Sequence, residues 1–178
     1  MEPFELTDGT VRLRTPDAGD VDDIFRICQD PAIQRWTTVP GPYLLEHATG
    51  FVSEYVPGSW AKGGGTWGIR ELGGDDRLVG MIGLVAEPVR SAEIGWWLAP
   101  EARGRGLMGR SVALVVEAAF GRMRLDRLSW RAFVGNDPSR AVAERAGFRM
   151  EGCIRGGAVK GDTRYDDWVG TLLSTDRR

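Results

Sequence analysis

The chain has 178 residues, the length of one compact domain (1–178), with 42% hydrophobic and 27% charged residues, an ordinary balance for a soluble globular protein. Its net charge of -2 argues against a general nucleic-acid binder, so any phosphate-binding patch is expected to be local. No apolar run approaches the roughly 18 residues of a membrane span, and the opening MEPFELTDGTV has neither part of a signal peptide. Cys28 and Cys153 are too few and too far apart for a disulfide framework or a zinc site. They are expected to be reduced and buried in a cytoplasmic protein. With His47 as the only histidine, metal clusters and Ser-His-Asp triads are disfavoured. Acid–base chemistry then falls to carboxylates, hydroxyls or tyrosines.

Along the chain, Val11-Arg12-Leu13-Arg14 alternates like a first strand. Asp17-Ala18-Gly19-Asp20 supplies caps for a helix with Val21, Ile24, Phe25 and Cys28 on its apolar face. The stretch QRWTTVPGPY reads as a loop, and a second helix is expected from about Tyr43 to Tyr55. The period then changes. Thr66–Leu72 and Arg77–Val85 read as strands around the turn Gly73-Gly74-Asp75-Asp76. Ala92–Leu98 (AEIGWWL) is a third strand of this set. A helix follows with Met108, Val112, Val115, Val116, Ala119 and Met123 along one face. Arg127–Val134 is another strand, and NDPSRAVAERAGF is a helix that Asp137 can cap, Pro138 can begin and Gly147 can end. Strands near Phe148–Ile154 and Arg164–Leu173 close the chain. The order β-α-α-β-β-β-α-β-α-β-β implies an α/β domain with a mixed sheet.

Between the third strand and its helix lies ARGRGLMGRS, with three glycines and three arginines in ten residues. Glycines let a backbone approach an oxyanion closely, and free N–H groups and the dipole at a helix start attract it. Arg103, Arg105 and Arg110 add charge suited to phosphate. Gly104, Gly106 and Gly109 also spell a dinucleotide fingerprint. That motif belongs at the first strand–helix turn, and here no acid follows the next strand for a ribose hydroxyl. A P-loop lacks its terminal G-K-[ST]. An Arg/Gly-rich surface turn without ligand is the plainer alternative.

AEIGWWLAPEARGRGLMGRSVALVVEAAF and NDPSRAVAERAGFRMEGCIR resemble the GNAT superfamily of acetyl-CoA-dependent N-acetyltransferases. Within it the likeness is to the branch acting on ribosomal-protein N-terminal alanine and serine. The resemblance implies a GNAT-like fold, a mixed, mostly antiparallel central sheet flanked by helices on both faces. Arg103 and Gly106 match the pyrophosphate motif [QR]-x-x-G-x-[GA], while Met108 stands where a small residue is usual. By resemblance, main-chain amides from about Arg105 to Arg110 cradle the diphosphate of coenzyme A, and Arg103, Gly104, Arg105, Gly106, Leu107, Met108, Gly109 and Arg110 are the cofactor-binding segment. The pantetheine arm runs between the AEIGWWL and RLSWRAFV strands, beside Trp97 and Leu98. Asn136 matches a cofactor-contacting asparagine, its plainer role being an Asx turn. Ser139 matches a proton donor near the coenzyme sulfur, its plainer role being a helix-start hydroxyl.

Glu93 sits where many GNAT enzymes carry their base, acting directly or through water; the plainer role is a structural strand carboxylate. Some members of the branch carry a glutamate a few residues after E-G-C; Ala158 occupies that place here. A base matters most for strongly basic acceptors. At pH 7 a lysine-like amine with pKa about 10.4 is roughly 0.04% neutral, about 4.6 kcal/mol, whereas an α-amine near pKa 7.8 loses only about 1 kcal/mol. Trp97 and Trp130 also fit a packed core. Trp36, Trp60 and Trp96 are expected to wall the acceptor pocket, and Gly63-Gly64-Gly65 to allow movement beside Trp60. The expected activity is acetyl transfer from acetyl-CoA to a primary amine, a protein N-terminus or a small molecule, without a metal. The resemblance carries a homodimer as a common assembly. The alternatives are a non-catalytic coenzyme A-binding module and a nucleic-acid binder with steep salt dependence.

Overall fold

The computed structural model describes residues 1–176. In chain order the elements are β1 (Leu6–Thr7), β2 (Val11–Arg14), α1 (Val21–Ile27), α2 (Pro31–Trp36), α3 (Leu45–Gly50), α4 (Val56–Ala61), β3 (Gly65–Glu71), β4 (Gly80–Glu87) and β5 (Ser91–Leu98). Then come α5 (Leu107–Phe120), β6 (Arg127–Phe133), α6 (Asp137–Arg145), β7 (Arg149–Lys160) and β8 (Thr163–Leu173). The strands form one sheet in the order β1-β2-β3-β4-β5-β6-β8-β7. Neighbours run antiparallel throughout, except that β5 and β6 are parallel. A parallel neighbour requires a crossover, and α5 supplies it.

Period explains the layers. On α5, Met108, Val112, Val115, Val116, Ala119 and the following Met123 are all buried, and they pack with Ile82, Leu84, Ile94, Leu128 and Trp130 of the sheet. A second core gathers Ile24, Ile27, Ile33, Tyr43 and Ala48 of the N-terminal helical region against Leu78, Met81 and Leu107. The expected mixed, mostly antiparallel sheet with helical layers is what forms. Beneath the entry to α1, the fully buried Arg70 of β3 donates to Asp20, which also accepts from the Asp17 backbone N–H at 3.0 Å.

Several expectations are corrected by local chemistry. The loop containing Trp36 begins as helix α2, because Asp30 caps it by accepting from Ala32 N–H at 3.1 Å and Pro31 fits its first turn. The second helix does not stop at Tyr55. It passes through a π-helical stretch, Phe51–Tyr55, into α4, with Pro57 in the first turn where a missing N–H is tolerated. That continuation turns Trp60 inward. Trp60 is 2% exposed, packs edge-on with Phe4 and Trp67, and does not wall the acceptor pocket. Gly64 and Gly65 serve close packing rather than movement, since a Cβ on either would overlap the Leu84 backbone or the Trp67 ring.

β4 starts later than expected because Arg77 turns to Asp23 and Leu78 to the second core. β7 runs on to Lys160 as the outer strand of the sheet, which leaves Cys153 exposed; Cys28 alone is buried, its thiol pushed up to about 12 by that burial.

Candidate active site

β5 and β6 pair from Ser91 with Arg127 to Ile94 with Trp130, and there the pairing stops. Beyond that point β5 stays with β4 as far as Leu98, while β6 stays with β8 as far as Phe133. Each strand keeps its outer partner, so the inner edges diverge and leave main-chain groups without a ladder. The resulting cleft has a volume of about 820 Å³. β4, β5 and β6, the segment after α2, and the π-helical stretch all contribute to its walls.

Glu93, Trp96, Trp97, Trp36, Asn136 and Ser139 all line this cleft. Trp97 also packs against the second core, and Leu98 bridges both cores. Trp36 leans from the end of α2 toward the β6–α6 turn, where a Cβ on Gly135 would come within 3.3 Å of its ring. Asn136 caps α6, accepting from the Ser139 N–H at 3.4 Å. The cap is thus Asn136 and not Asp137, a helix cap where an Asx turn was the plainer expectation, and Asn136 also lines the cleft. Ser139 Oγ accepts from the Trp130 indole N–H at 3.2 Å. An indole only donates, so the serine proton stays available to an acceptor in the cleft.

The glycine-rich segment follows the β5 lip directly. Gly104 and Gly106 lie at φ 73° and 77°, conformations that favour glycine. Gly106 is the residue before α5, and no side chain caps that helix. The first-turn N–H groups of Leu107, Met108 and Gly109 have no protein acceptor among the described residues, which is the state of an anion-ready helix start. Met108, the departure from the expected motif, buries its side chain in the core and leaves the main chain clear.

The arginines are arranged otherwise than their charge suggested. Arg103 pairs with Asp30 and donates from Nε to the Leu98 carbonyl at 3.1 Å; Arg105 pairs with Glu71 at 2.5 Å and Arg110 with Asp8 at 2.9 Å. In this structure they clamp the loop to its surroundings.

Period and register put Glu87, Glu93, Ser129, Arg131 and Asp167 on one face of the sheet. The Glu93 carboxyl is raised above its ordinary value mainly by burial, with Glu87 and Asp167 adding to the rise and Arg131 opposing it. Tyr55, on the cleft rim, has its phenol raised by burial and then by the Glu93 carboxylate. Sequence reasoning missed Arg131, Asp167 and Tyr55. The signal for Arg131 was its phase in RLSWRAF, shared with Ser129 and opposite to Leu128 and Trp130. Ala158 also lines the cleft, so the second carboxylate of the resembling branch is absent.

This geometry has counterparts. YdaF of Bacillus subtilis, which carries the name of a ribosomal N-acetyltransferase, is 39% identical over 104 residues, 57% of each chain. The ribosomal-protein-serine acetyltransferase of Escherichia coli is 33% identical over 95 residues, 52% of each chain. The chain thus spans little more than half the length of these two relatives. An acetyltransferase of the GNAT family from Bacillus anthracis superposes with a TM-score of 0.87 at 20% identity, over 97% of this chain and 100% of that one. RimL, a ribosomal L7/L12 α-N-protein acetyltransferase solved with coenzyme A, gives 0.84 at 21% identity, over 97% and 98%. These two share the fold. Residues 10–149, from the first long strand through α6, match the acetyltransferase (GNAT) domain. With the strand splay, the open helix start and this match in agreement, the chain belongs to the GNAT acetyltransferase family.

Proposed function

We propose that the protein transfers the acetyl group of acetyl-CoA to a primary amine, a reading in line with the acetyltransferase names its relatives carry. The observation that carries this reading is the parting of β5 and β6 after Ile94 and Trp130, beside a helix start with open N–H groups. The diphosphate of the carrier suits those N–H groups, and its two pantetheine amides suit the unpaired strand edges. In the reaction the neutral amine attacks the thioester carbonyl and the carbon–sulfur bond breaks. Glu93 takes the proton from the amine, directly or through water, Ser139 gives one to the departing sulfur, and solvent then carries the proton from Glu93 and restores that of Ser139. Trp36 and Trp96 suit the walls of the acceptor side. A protein N-terminus such as that of a ribosomal protein fits the reading, as does a small amine.

The reading is tested by thiol release from acetyl-CoA against N-terminal peptides and small amines. Ser139→Ala is expected to lower kcat at least about tenfold, with coenzyme affinity by calorimetry little changed. Wild-type turnover in that variant removes the proton-donor role. A well-folded wild type that binds coenzyme A and acetylates nothing would instead be a binding module, the reading for which Ala158 leaves room.

Gly106→Val should act on binding. Its φ of 77° is left-handed, and a β-branched residue there strains the backbone by about 1–2 kcal/mol. Roughly tenfold weaker coenzyme binding with an intact fold is expected. Unchanged affinity would move the diphosphate elsewhere.

A further inference from the structure

We propose that Arg131 receives the carbonyl oxygen next to the acceptor's amine, and so selects α-amino carbonyl compounds over plain alkylamines. This rests on the acetyl-transfer reading above.

Arg131 lines the cleft, and its guanidinium is held in one pose. Nε donates to Asp167 Oδ2 at 2.6 Å, and one Nη donates to the Gly157 carbonyl at 3.2 Å. A guanidinium has five N–H donors, and its other Nη has no partner among the described residues. A donor edge therefore remains for something in the cleft.

The support beneath it is unusual. Asp167 is 1% exposed, and its Oδ1 is buried without a hydrogen-bond partner among the described residues. Burying a carboxylate with one oxygen unsatisfied is unfavourable. That oxygen is not itself open to a ligand, because Gly157 lies directly over it and a Cβ there would overlap it. Gly157 belongs to an irregular part of β7, between the pairs Ile154 with Asp167 and Ala158 with Tyr165, where three residues oppose one. The irregularity turns the Gly157 carbonyl toward Arg131. Both contacts act on the same side chain, and the arginine is what they deliver to the cleft.

The neighbouring charges identify the ligand. Glu87 is paired with Arg127 and Asp167 with Arg131, which leaves Glu93 as the carboxylate of this cluster without a paired cation among the described residues. Glu93 and Arg131 lie two positions apart in register on adjacent strands and the same face. Together they offer an acceptor for an amine and a donor for an oxygen. An amine with a carbonyl on the adjacent carbon meets both. A plain alkylamine leaves the free guanidinium edge without a partner from the ligand. A free amino acid offers the oxygen as a carboxylate, but the surplus negative charge of Glu93 disfavours it. The ligand is thus a neutral α-amino amide or peptide N-terminus.

Steady-state acetylation of alaninamide, alanine and isopropylamine tests this in the wild type, in Arg131→Lys, and in the charge-matched double variant Arg131→Gln with Asp167→Asn. The measured quantity is the kcat/KM ratio of alaninamide to isopropylamine, in which general electrostatic effects on Glu93 cancel. The double variant is expected to lower that ratio about tenfold or more, mainly through KM for alaninamide, and Arg131→Lys to lower it partway. Wild type should use alanine less well than alaninamide. An unchanged ratio in either variant, with circular dichroism and coenzyme affinity intact, overturns the assignment to Arg131. Equal use of alanine and alaninamide overturns the neutral carbonyl. A wild type that acetylates no amine at all fails at the earlier step and removes the acetyl-transfer reading along with this one.

Discussion

Glu93→Gln is expected to lower kcat/KM for amine acceptors about a hundredfold, within the range for loss of a general base. Glutamine keeps the shape and cannot take the proton. The loss should be larger for acceptors of higher pKa, because more of their barrier is the removal of that proton. The wild-type pH profile should carry an acidic limb displaced above the ordinary glutamate range, because burial raises this carboxyl ahead of the opposing influence of Arg131. Activity falls as pH drops through the raised value, and this limb should vanish in the variant.

Stability should move the opposite way. A carboxyl whose pKa is higher in the folded chain binds more protons there than when unfolded. It therefore disfavours folding increasingly as pH rises through the window between its unfolded and folded values. At neutral pH the glutamine variant should be no less stable, and modestly more so by urea unfolding. A variant equally active, or active but unfolded more easily, would make Glu93 a structural residue.

Asp20→Ala should be the most damaging change away from the cleft. It removes the carboxylate facing Arg70, which is 1% exposed, and leaves a cation deep in the protein. Breaking such a pair costs about 3–5 kcal/mol. Asp20 also accepts from the Asp17 N–H at 3.0 Å in the turn leading to α1, so the entry to that helix loosens as well. The measurement is the urea midpoint followed by circular dichroism. Replacing both partners, Asp20→Leu with Arg70→Met, should recover most of the loss, because two apolar side chains leave no buried charge. A loss below about 1 kcal/mol in the single variant would mean that water reaches Arg70 easily.

Legibility in the sequence followed the strength of local periodicity. α5 was readable because five apolar residues recur on one face along it and Met123 follows just beyond its end, and every one of them is buried. β5 and β6 were readable as strands, but their divergence follows from which outer neighbour each keeps, and pairing is a long-range property. α2 was missed although its cap was visible in Asp30-Pro31, because Trp36, Pro40, Gly41 and Pro42 made the stretch look irregular.

Trp60 was misplaced for a similar reason. The helix was expected to stop near Tyr55, but the π-helical turn there carries it on through Pro57 and Gly58 into α4. In the loop, arginines beside glycines suggested ligand charge. Their partners Asp8, Asp30 and Glu71 are remote in sequence, and only the fold brings them together. Arg131 was hidden in the same way, since its meaning comes from Asp167 on another strand.

The parallel junction between β5 and β6 has a mechanical consequence. Four residue pairs join the two halves of an eight-stranded sheet there, against eight between β4 and β5 and seven between β6 and β8. The sheet is therefore thinly laced, relative to its two flanking boundaries, along the line where the thioester carrier is proposed to lie. A carrier whose amides bridge both lips would act as a temporary rib, stiffening the molecule on loading and releasing it on departure, so that chemistry and rigidity share one cycle.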